Sequence, residues 1–159
     1  MGKDDPATLE VLSDVARSYN LEGKYPDAER VYSQALEGLQ RAYGDEHADV
    51  RAVMSDLAIV YQYEGRYAKA EVLTRRVLDI QRRVVGVDDP ETVTNTANLA
   101  FLYLNQGKYR QAESQYVDAL TRMRRLQGPD HPTTIATVNA LALTYRGLGK
   151  RQEAESMFR

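Results

Sequence analysis

The sequence predicts an all-α fold, a solenoid of stacked antiparallel helix pairs, and three observations carry that expectation. A block of residues recurs every 42 positions, apolar residues inside each block keep a helical period, and glycines fall where a helix must end. Gly23-Lys24-Tyr25 returns as Gly65-Arg66-Tyr67, as Gly107-Lys108-Tyr109 and as Gly149-Lys150-Arg151. Ala-Glu follows each time, as Ala28-Glu29, Ala70-Glu71, Ala112-Glu113 and Ala154-Glu155. Before each glycine stand an alanine (Ala16, Ala58, Ala100, Ala142) and then a tyrosine (Tyr19, Tyr61, Tyr103, Tyr145) in the same phase. Val15, Leu57, Leu99 and Leu141 precede the alanines.

Each element of one unit follows from spacing. Leu12, Val15, Ala16 and Tyr19 lie at i, i+3, i+4 and i+7, one face of a first helix, helix A. Gly23 sits where a left-handed residue ends a helix at little steric cost. Ala28, Tyr32, Ala35, Leu36 and Leu39 then trace the buried face of a second helix, helix B, and Gly44, Gly86 and Gly128 close the first three units. Helix B of the third unit is expected to run from about Tyr109 to Gln127. Asp5-Pro6, Asp89-Pro90 and His131-Pro132 open A helices, since proline at the first helical position loses an N–H that would be unpaired anyway. The alanines mark close helix crossings, and the repeated tyrosines fill the remaining space with a large apolar ring and a polar tip.

Composition bounds the function. With 159 residues, 43% hydrophobic and 28% charged, the chain has the balance of a folded domain. It lacks the ~18-residue apolar run of a membrane span, and no apolar stretch follows Met1-Gly2-Lys3-Asp4-Asp5 as in a secretory signal, so a cytoplasmic chain is expected. Zero cysteines exclude disulfides, thiolate metal sites and cysteine nucleophiles. His47 and His131, the two histidines, occupy the same loop position two repeats apart, too far to share a metal, and read as helix caps. Every glycine after Gly2 except Gly38 and Gly147 belongs to the repeat phase, and no phosphate loop, nucleophile elbow or His-Glu-x-x-His segment occurs. No catalytic residue, cofactor or metal is therefore expected. Arg41, Arg83 and Arg125, with Arg82 and Arg124, form a basic ladder, but they fall in the last turn of helix B, where the helix dipole favours cations. With a net charge of −2, neither nucleic acid nor a membrane surface is an expected partner.

The combination of Leu-Ala, Tyr, Gly-Lys-Tyr and Ala-Glu at a 42-residue period resembles the tetratricopeptide repeats of kinesin light chains and of related arrays in bacteria and fungi. The resemblance implies a single array over residues 1–159, a right-handed superhelix of about 3.5 repeats with units near 5–46, 47–88, 89–130 and 131–159, the last helix truncated. It also implies a peptide-binding concave side made by the A helices. Carried over by position, the groove residues are Ser13, Asp14, Arg17 and Asn20, with Glu10 beside them; Ser55, Asp56, Ile59 and Gln62; Asn98, Phe101 and Leu104, with Ala97; and Asn139, Leu143 and Arg146. Relatives often carry two adjacent asparagines before the Leu-Ala pair; Asn98 and Asn139 keep half of that pattern, while Ala97, Ala140, Ser13-Asp14 and Ser55-Asp56 depart from it.

Ile59, Phe101 and Leu143 share one repeat position, so a groove-facing helix A would give them a continuous apolar strip that wants a partner. Ordinary packing against neighbouring helices is the alternative. Arg17 interrupts the strip, either as a partner for a carboxylate of the bound segment or as a solvated side chain. The expected function is a protein-interaction module holding a peptide in the groove. The alternative is a structural element whose uncapped ends stack or exchange helices with other copies, because helix B of the fourth unit ends at Arg159 and solenoids need capped ends; surface changes near Met157 and Phe158 would then alter assembly.

Overall fold

A computed structural model describes residues 5–157; the signal-peptide reading of the first residues and the assembly reading of Phe158 lie outside them. The described residues form eight helices and no strand: α1 (Pro6–Leu21), α2 (Tyr25–Tyr43), α3 (Ala48–Tyr63), α4 (Tyr67–Val84), α5 (Pro90–Asn105), α6 (Tyr109–Gln127), α7 (Pro132–Gly147) and α8 (Arg151–Ser156). Odd-numbered helices are the A helices and even-numbered ones the B helices. The chain divides into two compact units, residues up to Ile80 and residues from Gln81 onward.

In the first unit α1 folds back on α2, α3 packs on α2 as well, and α1 touches α3. Leu9 and Ala16 of α1 meet Ala28, Tyr32, Ala35 and Leu39 of α2; Val50, Met54, Leu57 and Val60 of α3 and Val77 and Ile80 of α4 complete this core. In the second unit α5 and α6 repeat the pair, α7 packs on α6, α8 on α7, and α5 touches α7. Val93, Ala119 and Met123 cluster there with Ala97 against them. The alanines that the repeat phase singled out are buried throughout, with Ala16, Ala28, Ala70, Ala100 and Ala112 wholly so. A larger side chain at such a crossing would overpack it by about 1–3 kcal/mol.

The A-to-B turn is built one way four times. Gly23 adopts φ 72°, and the Lys24 N–H donates to the Tyr19 carbonyl at 2.9 Å while the Gly23 N–H donates to Asn20 O at 3.1 Å. This pair of bonds is the glycine-dependent helix stop that satisfies the last free carbonyls. Arg66, Lys108 and Lys150 donate in the same way to Tyr61, Tyr103 and Tyr145. The cation that follows each glycine then lies over the tyrosine ring, at 5.9 Å for Lys24, 4.4 Å for Arg66, 5.5 Å for Lys108 and 5.5 Å for Lys150. One short motif thus sets both the stop and the ring's orientation.

The B-to-A connections are capped as expected. The His47 and His131 Nδ1 atoms accept from the N–H groups of Asp49 and Thr133, and Asp89 Oδ1 accepts from Glu91 and Thr92. Asp5 holds the cap position of α1 without a side-chain bond. Gly38 and Gly147, the two outside the repeat phase, are close-packing positions. A Cβ on Gly38 would stand 2.3 Å from Leu9 Cδ2, and one on Gly147 2.5 Å from the Tyr109 ring. Val15 departs from expectation. It is 39% exposed, whereas Leu57, Leu99 and Leu141 are buried, because among the described residues α1 packs only on α2 and α3 and its far side has no helix to cover it.

Candidate functional site

In each unit the A helices leave a stripe uncovered, and the chemistry of the stripe differs between the two units. In the first unit the stripe runs along α1 and α3. Arg17 is exposed and pairs with Asp14 at 3.3 Å and with Asp56 at 3.5 Å. The buried Tyr32 of α2 donates its hydroxyl to Asp56 at 3.2 Å, which fixes that carboxylate from below. Asp56, with Tyr32 and Asp14 behind it, raises the Arg17 pKa, so the guanidinium stays charged. Burial, and then Asp56, push the Tyr32 phenol up, so it stays a donor.

Glu10, Ser13, Asp14 and Arg17 of α1, Leu39 and Tyr43 of α2, and Asp49, Ala52, Val53 and Asp56 of α3 line a cleft of about 370 Å³. Of the sequence-predicted residues, the cleft gathers Glu10, Ser13, Asp14, Arg17 and Asp56. Ser13 is half-buried and spends its hydroxyl on the Leu9 carbonyl at 3.0 Å. Asn20, Ser55, Ile59 and Gln62 are half-buried outside the cleft, and the buried Oδ1 of Asn20 has no partner among the described residues.

In the second unit the stripe is apolar with a cationic edge. Phe101 of α5 is 37% exposed and Leu143 of α7 is 52% exposed, at the repeat position shared with Arg17 and Ile59. Leu104, Tyr109, Leu143, Arg146, Gly147, Arg151, Ala154 and Glu155 line a cleft of about 920 Å³. The predicted residues Leu104, Leu143 and Arg146 come together there, and Phe101 does not line it. Asn98 is half-buried and donates to Asn95 at 3.3 Å, and Asn95 in turn donates to Gln81 at 3.1 Å. Asn139 is exposed. Ala97 and Ala140 stand next to these two asparagines in the sequence, and Asn98 finds its amide partner in Asn95, one turn earlier.

Sequence reasoning missed several residues on these faces. Asp49 and Tyr43 enter the first cleft, Tyr109 and Arg151 the second, and Leu21 and Tyr63 are 83% and 61% exposed on the A stripe of the first unit. The signal for Leu21 and Tyr63 was present, since they stand one helical turn after Arg17 and Ile59. Also missed was the tie between successive pairs. Arg66 bonds Glu29 at 2.6 and 3.0 Å, and Lys150 bonds Glu113 at 2.6 Å, in both cases 37 residues apart. The Tyr61 hydroxyl also donates to Glu29 at 2.9 Å. Among the described residues no group of three or more His, Cys, Asp or Glu could hold a metal ion, and no helix is long and apolar enough to cross a membrane.

The comparisons with known proteins agree with this geometry. The crystal structure of BtubC (BKLC) from P. vanneervenii superposes with a TM-score of 0.88 at 23% identity; the match covers 96% of this chain and 61% of that one. This chain therefore spans less than two thirds of that protein's length. The kinesin-light-chain-like protein of Podosopora anserina, with nearly identical TPR-like repeats, superposes with a TM-score of 0.85 at 24% identity, over 99% of this chain and 75% of that one. MamA gives a TM-score of 0.71 at 18% identity, over 97% and 76%. At these identities the likeness shows the fold, a solenoid of helix pairs. No curated protein matches the sequence. The sequence profile of the family described as Tetratricopeptide repeat matches residues 7–83 and 89–159. The chain belongs to the tetratricopeptide-repeat family, whose members generally serve as non-catalytic scaffolds for protein interaction.

Proposed function

We propose that the chain is an interaction module whose exposed A-helix faces hold an extended or helical peptide segment of a partner protein. The exposure of Phe101 and Leu143 carries this reading. Two large apolar side chains at one repeat position of α5 and α7 stay in solvent beside a cleft large enough for side chains, while the equivalent leucines two positions earlier are buried. Leaving an apolar face uncovered costs about 25 cal/mol per Å² relative to covering it, and a partner segment recovers that energy. Arg146 and Arg151 at the rim supply polar handles of the kind that fix orientation in such a cleft.

The test is a displayed peptide library enriched on the immobilised chain, followed by titration of the enriched peptides against the wild type and against Phe101→Asp with Leu143→Asp. Affinity is expected to fall by at least about tenfold in the double variant, the effect of removing an apolar anchor. Circular dichroism should show unchanged helix content, because both side chains are exposed. Undiminished binding with intact helices would show that the peptide sits elsewhere.

A further inference from the structure

The cleft of the first unit has four carboxylates, Glu10, Asp14, Asp49 and Asp56, and one cation, Arg17, which Asp14 and Asp56 already engage. The repeat frame offers an internal control for what the fold needs there. Two repeats along, the counterparts of the four acids are Thr94, Asn98, Thr133 and Ala140, all uncharged, on helices α5 and α7 that match α1 and α3 in length. The scaffold builds the same helix pair without Glu10, Asp14 and Asp56, so helix formation does not account for those three; Asp49 sits in the first turn of α3, where the helix dipole favours an acid, 3.4 Å from His47. Like charges gathered at one cleft repel one another, and the negative potential they create draws a cation.

The walls also fit one kind of cation. Tyr43 lines the cleft and is 41% exposed, although His47 stacks on one face of its ring at 4.4 Å. The apolar floor suits a methylene stem, while the described acids do not converge to hold a metal ion. We propose that this cleft docks a lysine or arginine side chain, and that the partner segment seated on α1 and α3 is cationic. The proposal deepens the peptide-holding reading and rests on it.

Two blocked peptides of equal length, one alternating lysine with alanine and one alternating glutamate with alanine, are titrated into the nitrogen-labelled full chain while amide shifts are followed. The lysine peptide should move the amides of α1 and α3 and bind more weakly as salt rises. Glu10→Gln with Asp49→Asn, which leaves the Arg17 contacts intact, should weaken it at least about tenfold. Asp130→Asn with Glu153→Gln changes the net charge equally and should leave it unchanged. Equal loss in both variants, shifts outside α1 and α3, or preference for the glutamate peptide would overturn the proposal. If library-enriched peptides bind α5 and α7 while the lysine peptide leaves the first unit unmoved, the cationic assignment fails and the peptide-holding reading stands. If neither the blocked peptides nor any enriched peptide engages an A helix, both fall.

Discussion

Tyr32 and Tyr116 occupy the same repeat position two units apart, and their hydroxyls meet different fates. Tyr32 donates to Asp56, 24 residues ahead, whereas the residue 24 ahead of Tyr116 is Ala140. Among the described residues the buried Tyr116 hydroxyl has no hydrogen-bond partner, and burial alone pushes its pKa up. A buried donor without an acceptor costs about 1–3 kcal/mol, while a made bond contributes about 1 kcal/mol. Tyr32→Phe should therefore destabilise the chain by about 1 kcal/mol, and Tyr116→Phe should be neutral or stabilising. Urea midpoints at constant slope check this; equal losses for the two variants would mean that Tyr116 has an acceptor after all. At this scale the sequence was partly legible. It marked Tyr32 as core, but the acceptor lies on another helix, and a spacing of 24 residues matches neither helix period nor repeat length.

Among elements, a Glu-to-cation tie joins the Ala-Glu of one pair to the cation after the glycine of the next at two junctions, Glu29 to Arg66 and Glu113 to Lys150. Each half was readable, the glutamate as a helix charge and the lysine as part of a turn, and only the packing of successive pairs brings them into one bond. The helices themselves were read well from periodicity, down to Tyr109–Gln127, because local spacing and glycine stops fix them. Exposure was read less well, as Val15 shows, because it depends on which neighbours a helix has. The tie has a consequence for pH. The Arg66 hydrogen bond, and secondarily Tyr61, hold the Glu29 carboxyl below its ordinary value of 4.5 despite partial burial. The unfolded chain thus takes up that proton at higher pH than the folded one. The stabilisation is complete above the ordinary value and is lost as pH falls through the folded one. Between about pH 5 and pH 3 the wild type should lose stability more steeply than Glu29→Gln, measured by urea unfolding at each pH. Parallel curves for the two proteins would remove Glu29 from the acid response.

For the whole chain, the family fixes what kind of object this is, and the side chains on its A helices differ between the two units. We propose that the four helix pairs, near residues 5–46, 47–88, 89–130 and 131–159, behave as a single array. Stability in such arrays sums unit terms and nearest-neighbour terms, so short arrays unfold together. Thermal unfolding followed by circular dichroism should then give one transition that coincides with the one seen by tyrosine fluorescence; two separated steps would divide the chain near Ile80 and Gln81. The uniform turn has a further consequence. Since each stop and its stacked cation are encoded within a single period, a gene that duplicates or deletes one whole period in frame keeps that turn intact. Lineages carrying this module can lengthen or shorten it without inventing a new joint, and the exposed A-helix residues are left free to diverge.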